Sequence, residues 1–415
     1  MIIEYLLHLI IQIFIYAAAG INFTYYCIDR KISVTAAFAA GIGIMYTYQL
    51  FISLFPRQIG MYISIIFILL NIVLLIVNFR KLGIIMRIRN FRYSAASITG
   101  IIILLTIIII HIIIFYRTPL HGFDGLMIYG SRAKKIFDAS LFYLMDPGVL
   151  AAHNKYPLLV SLNEYFANIF NSDFSYQFTS IPHIIYILAL IGMIVNLFRE
   201  YTDYVFLILS IFLMTPLFLM NDLGFAYQYA DFPLAVIMLS VWVSIVKKRY
   251  SLGIFLSTLL PLIKNEGWPV FFVIVIYLFI MKKEILLKFI RQRALFIISS
   301  LNLVSWIIIR LNLTSYIEEI RFQSLIANIT SVRYILPVML TFLYIMVKPL
   351  FWGLNFIIPI ILLILSRDQT EEKKMILVFT LFPLLVYSII ISLIPGFASD
   401  SGDISNRLLL HFYPL

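Results

Sequence analysis

Between residues 97 and 116 the chain reads SITGIIILLTIIIIHIIIFY, 20 residues without one charged side chain. At about 1.5 Å of helical rise per residue, such a run reaches across the ~30 Å hydrocarbon core of a bilayer. Comparable apolar runs recur near 4–22, 33–54, 61–79, 176–197, 204–220, 229–246, 251–264, 268–281, 294–310, 334–366 and 375–394. Residues of this kind make up 62% of the chain and charged ones only 12%, against roughly 25% charged in a soluble domain. The expected fold class is all-α, a polytopic transmembrane helix bundle of about 11–13 spans. Glu4 and His8 interrupt the first run, and no basic segment precedes it. Residues 4–22 are therefore read as a retained span rather than a cleaved signal.

The net charge of +11 has a pattern. Arg80, Lys81, Arg87, Arg89 and Arg92 form one cluster, Lys247, Lys248 and Arg249 a second, and Lys282, Lys283, Lys288, Arg291 and Arg293 a third. All lie between apolar runs, as in loops held in the cytoplasm, and counting crossings puts the three on one side. That pattern argues against nucleic acid, which needs a soluble basic face. It also puts the polar interval 117–175 on the other side. The expected location is the plasma (inner) membrane, with the working face turned away from the cytoplasm. The run 334–366 is long for one span and short for two, and Lys348, Pro349 and Gly353 interrupt it. The arrangement that keeps Arg367, Lys373 and Lys374 cytoplasmic leaves 395–406 outside. A single cysteine, Cys27, excludes an internal disulfide and a cysteine metal cluster. No period of 20 to 50 residues repeats along the chain.

The interval 117–175 opens with RTPLHGFDG. Tyr129, Ala133, Ile136 and Phe137 then fall on one helical face, with Arg132, Lys134, Lys135 and Asp138 elsewhere. After Pro157, Leu158, Leu162, Tyr165, Phe166 and Ile169 form a second stripe. The expectation is a long external loop carrying two interfacial amphipathic helices joined by His153, Asn154, Lys155, Tyr156 and Pro157. Asp124 follows a spanning helix between Gly122 and Gly125. A carboxylate there has two readings: a base that takes a proton from a hydroxyl, or a helix cap.

These residues resemble the GT-C superfamily of polytopic glycosyltransferases that use lipid-phosphate-linked sugars. The resemblance covers most of 97–415 and rests on the aspartate of HGFDG (121–125), HNKYPLL (153–159), YADFPLA (229–235), KNEG (264–267) and NRLLLH (406–411), in that order. It implies a catalytic role for Asp124. It also divides the chain into an N-terminal three-helix segment, 1–96, and a catalytic core, 97–415. The simplest members lack the three preceding spans.

Further polar residues gather at the same expected surface. Asp222 and Asp231 bracket a short loop, and Lys264 and Glu266 end another span. Those carboxylates are candidates for substrate binding alongside His153, Lys155 and Tyr156. A pair of them would suit a divalent cation through oxygen ligands, although no spacing demands one. The bland alternative for Lys264 and Glu266 is an ion pair capping two helices. Arg407 and His411 share a helix face. An arginine fork suits a phosphate, so Arg407, His411 and Lys264 are the candidates for the donor phosphate. His111, within the Ile-rich span, reads as a packed, hydrogen-bonded residue.

The expected activity is transfer of a sugar from a polyprenyl-phosphate donor to an acceptor hydroxyl on a glycan, lipid or protein. The competing expectation is a secondary transporter or flippase of lipid-linked sugars. Transporters often show internal repeats and charges near mid-membrane, whereas the ionisable residues here collect at span ends.

Overall fold

The computed structural model describes residues 2–28, 36–82, 95–117, 124–146, 156–197, 230–313 and 340. Among them the secondary structure is entirely helical, with no strand. The helices are α1 (Ile2–Phe23), α2 (Ala37–Ser53), α3 (Arg57–Leu82), α4 (Ala95–Arg117), α5 (Ser131–Asp138), the short α6 (Leu141–Leu144), α7 (Leu159–Asn168) and α8 (Ile181–Leu197). They continue as α9 (Asp231–Val246), α10 (Tyr250–Ser257), α11 (Leu260–Ile263), α12 (Gly267–Met281), α13 (Lys283–Arg291) and α14 (Arg293–Asn312). A π-helical turn, Asp124–Gly130, runs into α5. The expected spans at 204–220, 334–366 and 375–394 lie outside the described residues.

Five helical segments, 2–28, 57–78, 97–117, 178–197 and 293–312, are long and apolar enough to cross a membrane, and the chain is an integral membrane protein on that ground. Their surroundings differ. Only 17% of the apolar window of α3 is buried, against 78% of that of α8. A surface as apolar as that of α3 is untenable in water and natural in lipid. The expected spans 33–54, 229–246, 251–264 and 268–281 form shorter apolar helices of 10–17 residues. The run 250–263 is broken for a local reason. The hydroxyls of Ser257 and Thr258 donate back to the carbonyls of Ile254 and Phe255, each at 2.7 Å. Pro261, in the first turn of α11, has no N–H with which to continue the ladder.

Small residues set the closest packing. A Cβ on Gly20 would stand 1.8 Å from the Ala37 carbonyl oxygen, and one on Gly41 2.2 Å from that of Tyr16. α1 and α2 therefore touch backbone to backbone, as lipid-embedded helices do when glycine and alanine line the seam. α1, from the N-terminal segment, is joined by hydrogen bonds to residues of the later helices. The Tyr5 hydroxyl lies 2.9 Å from the Ser180 hydroxyl, and the Tyr16 hydroxyl donates to Asn163 Oδ1 at 2.8 Å.

The two ends of the bundle have different characters. Arg57, at the start of α3, donates to the carbonyls of Asn171 and Ser172 at 2.7 and 2.6 Å. With the Tyr5–Ser180 contact, this gathers the starts of α1, α3 and α8 around the segment after α7. α7 also packs against α11, and α11 ends beside the start of α9 and the turn into α12. The remaining ends of α9 and α12 run into Lys247–Arg249 and Lys282–Arg293. One end thus carries the described parts of the 124–175 segment, 124–146 and 156–175, and the other the second and third basic clusters.

α5 keeps the expected face, with Ala133, Ile136 and Phe137 buried and Lys134 and Asp138 exposed. α7 does not lie on a surface, and the expectation of an interfacial helix there is corrected. Every residue from Leu159 to Asn168 is buried, the polar ones included. Asn163, on its polar side, finds partners on two other helices, and its Oδ1 accepts from the Tyr16 hydroxyl. Asn163 Nδ2 donates to the Tyr186 hydroxyl at 3.0 Å, and Gln49 Nε2 donates to the Tyr16 hydroxyl at 2.7 Å. His111 is buried with Nδ1 2.8 Å from the Ile107 carbonyl oxygen, a packed residue as expected.

Candidate functional site

The KNEG motif is a tight connection between α11 and α12. Lys264 ends α11 with an extended backbone (φ −153°, ψ 151°). The Gly267 N–H then donates to the Lys264 carbonyl at 2.9 Å, and the Trp268 N–H to that of Asn265 at 3.1 Å. The turn closes only because position 267 lacks a side chain. A Cβ there would sit 2.0 Å from the Leu260 carbonyl oxygen and 2.9 Å from the Pro261 nitrogen.

That turn aims Lys264 across at α9. Its Nζ lies 2.7 Å from Asp231 Oδ1 and 3.2 Å from Glu266 Oε1. The side chains of Lys264 and Asp231 are 5% and 1% exposed, and that of Glu266 is 30% exposed. A buried charge is tolerated when paired and hydrogen-bonded, and Asp231 at the first turn of α9 also faces the positive end of the helix dipole. Beside the triad, Arg310 Nη1 donates to Asn265 Oδ1 at 3.2 Å, tying the end of α14 to the same turn.

This geometry changes the chemistry open to Lys264. One ammonium is shared by two carboxylates, so the triad carries a net charge of −1 (one cation, two anions). An incoming phosphate would meet an ammonium already engaged by two carboxylates. The arrangement is better suited to holding two carboxylates in place, and Glu266 is the more exposed of them. The ammonium also stands between the two carboxylates, where a bridging cation would otherwise sit. Among the described residues no three His, Cys, Asp or Glu side chains come together as a metal site.

A second charged centre lies within the 124–175 segment. Arg132 of α5 is fully buried. Its Nη1 donates to the Tyr156 carbonyl at 2.6 Å, its Nη2 to the Pro157 carbonyl at 2.9 Å, and its Nε to the Ile128 carbonyl at 3.1 Å. The guanidinium therefore pins the strand of chain that leads out of HNKYP onto α5. Tyr156 contributes its backbone to this clamp, and its side chain is half-buried. Glu164 of α7 is also fully buried, and neither of its carboxyl oxygens has a hydrogen-bond partner among the described residues. Burial pushes its pKa well above the usual carboxylate range, with the Arg132 charge acting in the opposite direction. Burial, together with the nearby Arg132 charge, lowers the Lys135 pKa.

Asp124 is the first residue of the helical turn that follows α4 and leads into α5. His153, Lys155, Asp222, Arg407 and His411 lie outside the described residues. Of the ten candidates, the structure brings together Asp231, Lys264 and Glu266. Arg132, Glu164 and Arg310 were not singled out from the sequence. Arg132 reads there as one of four polar residues on a wet face, and the carbonyls of Tyr156 and Pro157 that hold it lie 24 and 25 residues away. The chain matches no protein-family model, no curated protein and no solved structure.

Proposed function

We propose that this chain is a membrane glycosyltransferase that moves a sugar from a polyprenyl-phosphate donor to an acceptor hydroxyl at the end of the bundle carrying the 124–175 segment. The supporting observation is the gathering of polar groups there. The turn that begins with Asp124, the α5–α7 segment clamped by Arg132, and the Asp231–Lys264–Glu266 triad are joined through the packing of α7 on α11. The GT-C resemblance in the sequence agrees with that gathering.

In this reading the Asp124 carboxylate accepts the proton of the acceptor hydroxyl. The acceptor oxygen forms a bond to the anomeric carbon as the bond to the donor phosphate oxygen breaks, and the electron pair leaves with the lipid phosphate. Attack from the face opposite the phosphate inverts the anomeric centre. The growing charge on the leaving phosphate calls for a cationic clamp, a role assigned to Arg407 and His411. Lys264, engaged by two carboxylates, instead holds Asp231 and Glu266 toward the sugar. His153, Lys155, Tyr156 and Asp222 complete the substrate-binding set.

The test is product formation by the purified full chain in lipid nanodiscs, given a panel of polyprenyl-phosphate sugars and acceptors. Acceptor-dependent release of polyprenyl phosphate supports the assignment. Movement of an intact donor across a sealed bilayer, without such release, replaces it with the flippase reading.

A further inference from the structure

α13 is attached to the membrane at both ends. Lys282 alone separates it from the apolar α12, and Gln292 alone from the apolar α14. It cannot leave the boundary of the bilayer, and it lies at the end of the bundle opposite the 124–175 segment. Its nine residues, KEILLKFIR, divide the helix surface into three sectors at 100° per residue. Ile285, Leu286 and Phe289 turn inward, with Phe289 only 4% exposed. Leu287 and Ile290 form an outward apolar flank, 45% and 43% exposed. Lys288 and Arg291 lie beside that flank on the polar sector, and Lys283 lies between the two apolar residues.

The charge on this helix is one-sided. Lys283, Lys288, Arg291 and the adjoining Arg293 are all exposed, and none takes part in an ion pair among the described residues. Glu284 is the single acid of the segment. α13 also packs against α10, which begins directly after Lys247, Lys248 and Arg249. A helix with exposed leucine and isoleucine beside uncompensated cations is stable when the apolar flank enters the acyl boundary and the cations sit at headgroup depth.

We propose that α13 is a binding site for anionic phospholipid headgroups. Leu287 and Ile290 insert at the acyl boundary, while Lys283, Lys288 and Arg291 hold the lipid phosphates, with the basic turn before α10 adding to the same field. The occupant follows from charge complementarity and from the tethering of the helix to two membrane-embedded neighbours. Each basic residue near a membrane surface favours anionic lipid by roughly fivefold at most, and less when screened by salt. The site is independent of the transfer reaction at the other end of the molecule.

The experiment uses the full chain in a Cys27→Ser background with Leu287→Cys carrying a fluorophore, reconstituted in phosphatidylcholine vesicles containing phosphatidylglycerol. Quenching by brominated phosphatidylglycerol is compared with quenching by brominated phosphatidylcholine. The expected enrichment of the anionic lipid around position 287 is about fivefold. It should fall to near one in Lys283→Gln/Lys288→Gln/Arg291→Gln, in which three exposed side chains change and the fold is kept. A label at Leu126→Cys, in the turn before α5 at the opposite end, should show no enrichment in either background. A ratio near one at position 287 with the native charges overturns the proposal, as does an enrichment that survives the triple substitution. Ready quenching of that label by aqueous iodide also overturns it, because the helix would then not be seated in the bilayer.

Discussion

Lys264→Met tests whether the triad is the buried electrostatic centre that its geometry implies. Lys264 and Asp231 are both nearly inaccessible and 2.7 Å apart. Removing the ammonium leaves the Asp231 carboxylate buried, with its closest counter-charge gone. Breaking a buried pair from one side costs about 3–5 kcal/mol. Replacing both members by neutral side chains of similar size, Asp231→Asn with Lys264→Met, removes the stranded charge and should recover most of that loss. Glu266 is 30% exposed at 3.2 Å, so Glu266→Gln should cost less than about 1 kcal/mol. The assay is reversible unfolding in mixed micelles titrated with denaturing detergent, with the two single variants and the double variant analysed as a cycle. The cycle should show a coupling of about 2 kcal/mol or more. If Lys264→Met costs no more than Glu266→Gln, or if the double variant equals the sum of the singles, the triad is an ordinary surface contact and the reasoning fails.

Two further predictions concern the same end of the bundle. Gly267→Ala places a Cβ 2.0 Å from a backbone oxygen that cannot move without opening the α11–α12 turn, so it should destabilise by about 3 kcal/mol or more and show as a clear fall in melting temperature. Glu164→Gln should change how stability depends on pH. The native carboxyl holds its proton above the unfolded value of about 4.3, so over that window the folded state binds more protons than the unfolded one. Stability of the unaltered protein therefore falls as pH rises from about 5 toward the raised native value, by up to about 1.4 kcal/mol per pH unit. Glutamine removes that slope, and melting curves for the two proteins should diverge as the buffer becomes more alkaline.

Much of the architecture could be read from residue order. The uncharged runs mark α1, α3, α4, α8 and α14, because a bilayer demands length and apolarity together and both are one-dimensional properties. The basic clusters told the two ends apart for a similar reason, since loop charge is local in sequence. What escaped was set by partners far along the chain. α7 looks amphipathic, yet Tyr16 and Tyr186 from two other helices bond to Asn163 on its polar side. Arg132 shares a helical segment with exposed Lys134, yet it is buried against carbonyls 24 and 25 residues further along the chain. Within the candidate site, Lys264 and Glu266 could be read as a local pair, and the structure shows that pair. Asp231, 33 residues away, became its closest member only once α9 and α11 were side by side.

The central claim is that Asp124 is the base of a glycosyl transfer, and the most direct measurement is turnover of Asp124→Asn. Released polyprenyl phosphate would be counted from purified full-length protein in nanodiscs, for a donor and acceptor pair that the unaltered protein uses. The substituted protein should insert and melt as before and should release lipid phosphate at least about a hundredfold more slowly, the lower range of what a positioned base contributes. Turnover within a few-fold of the unaltered protein would contradict the account.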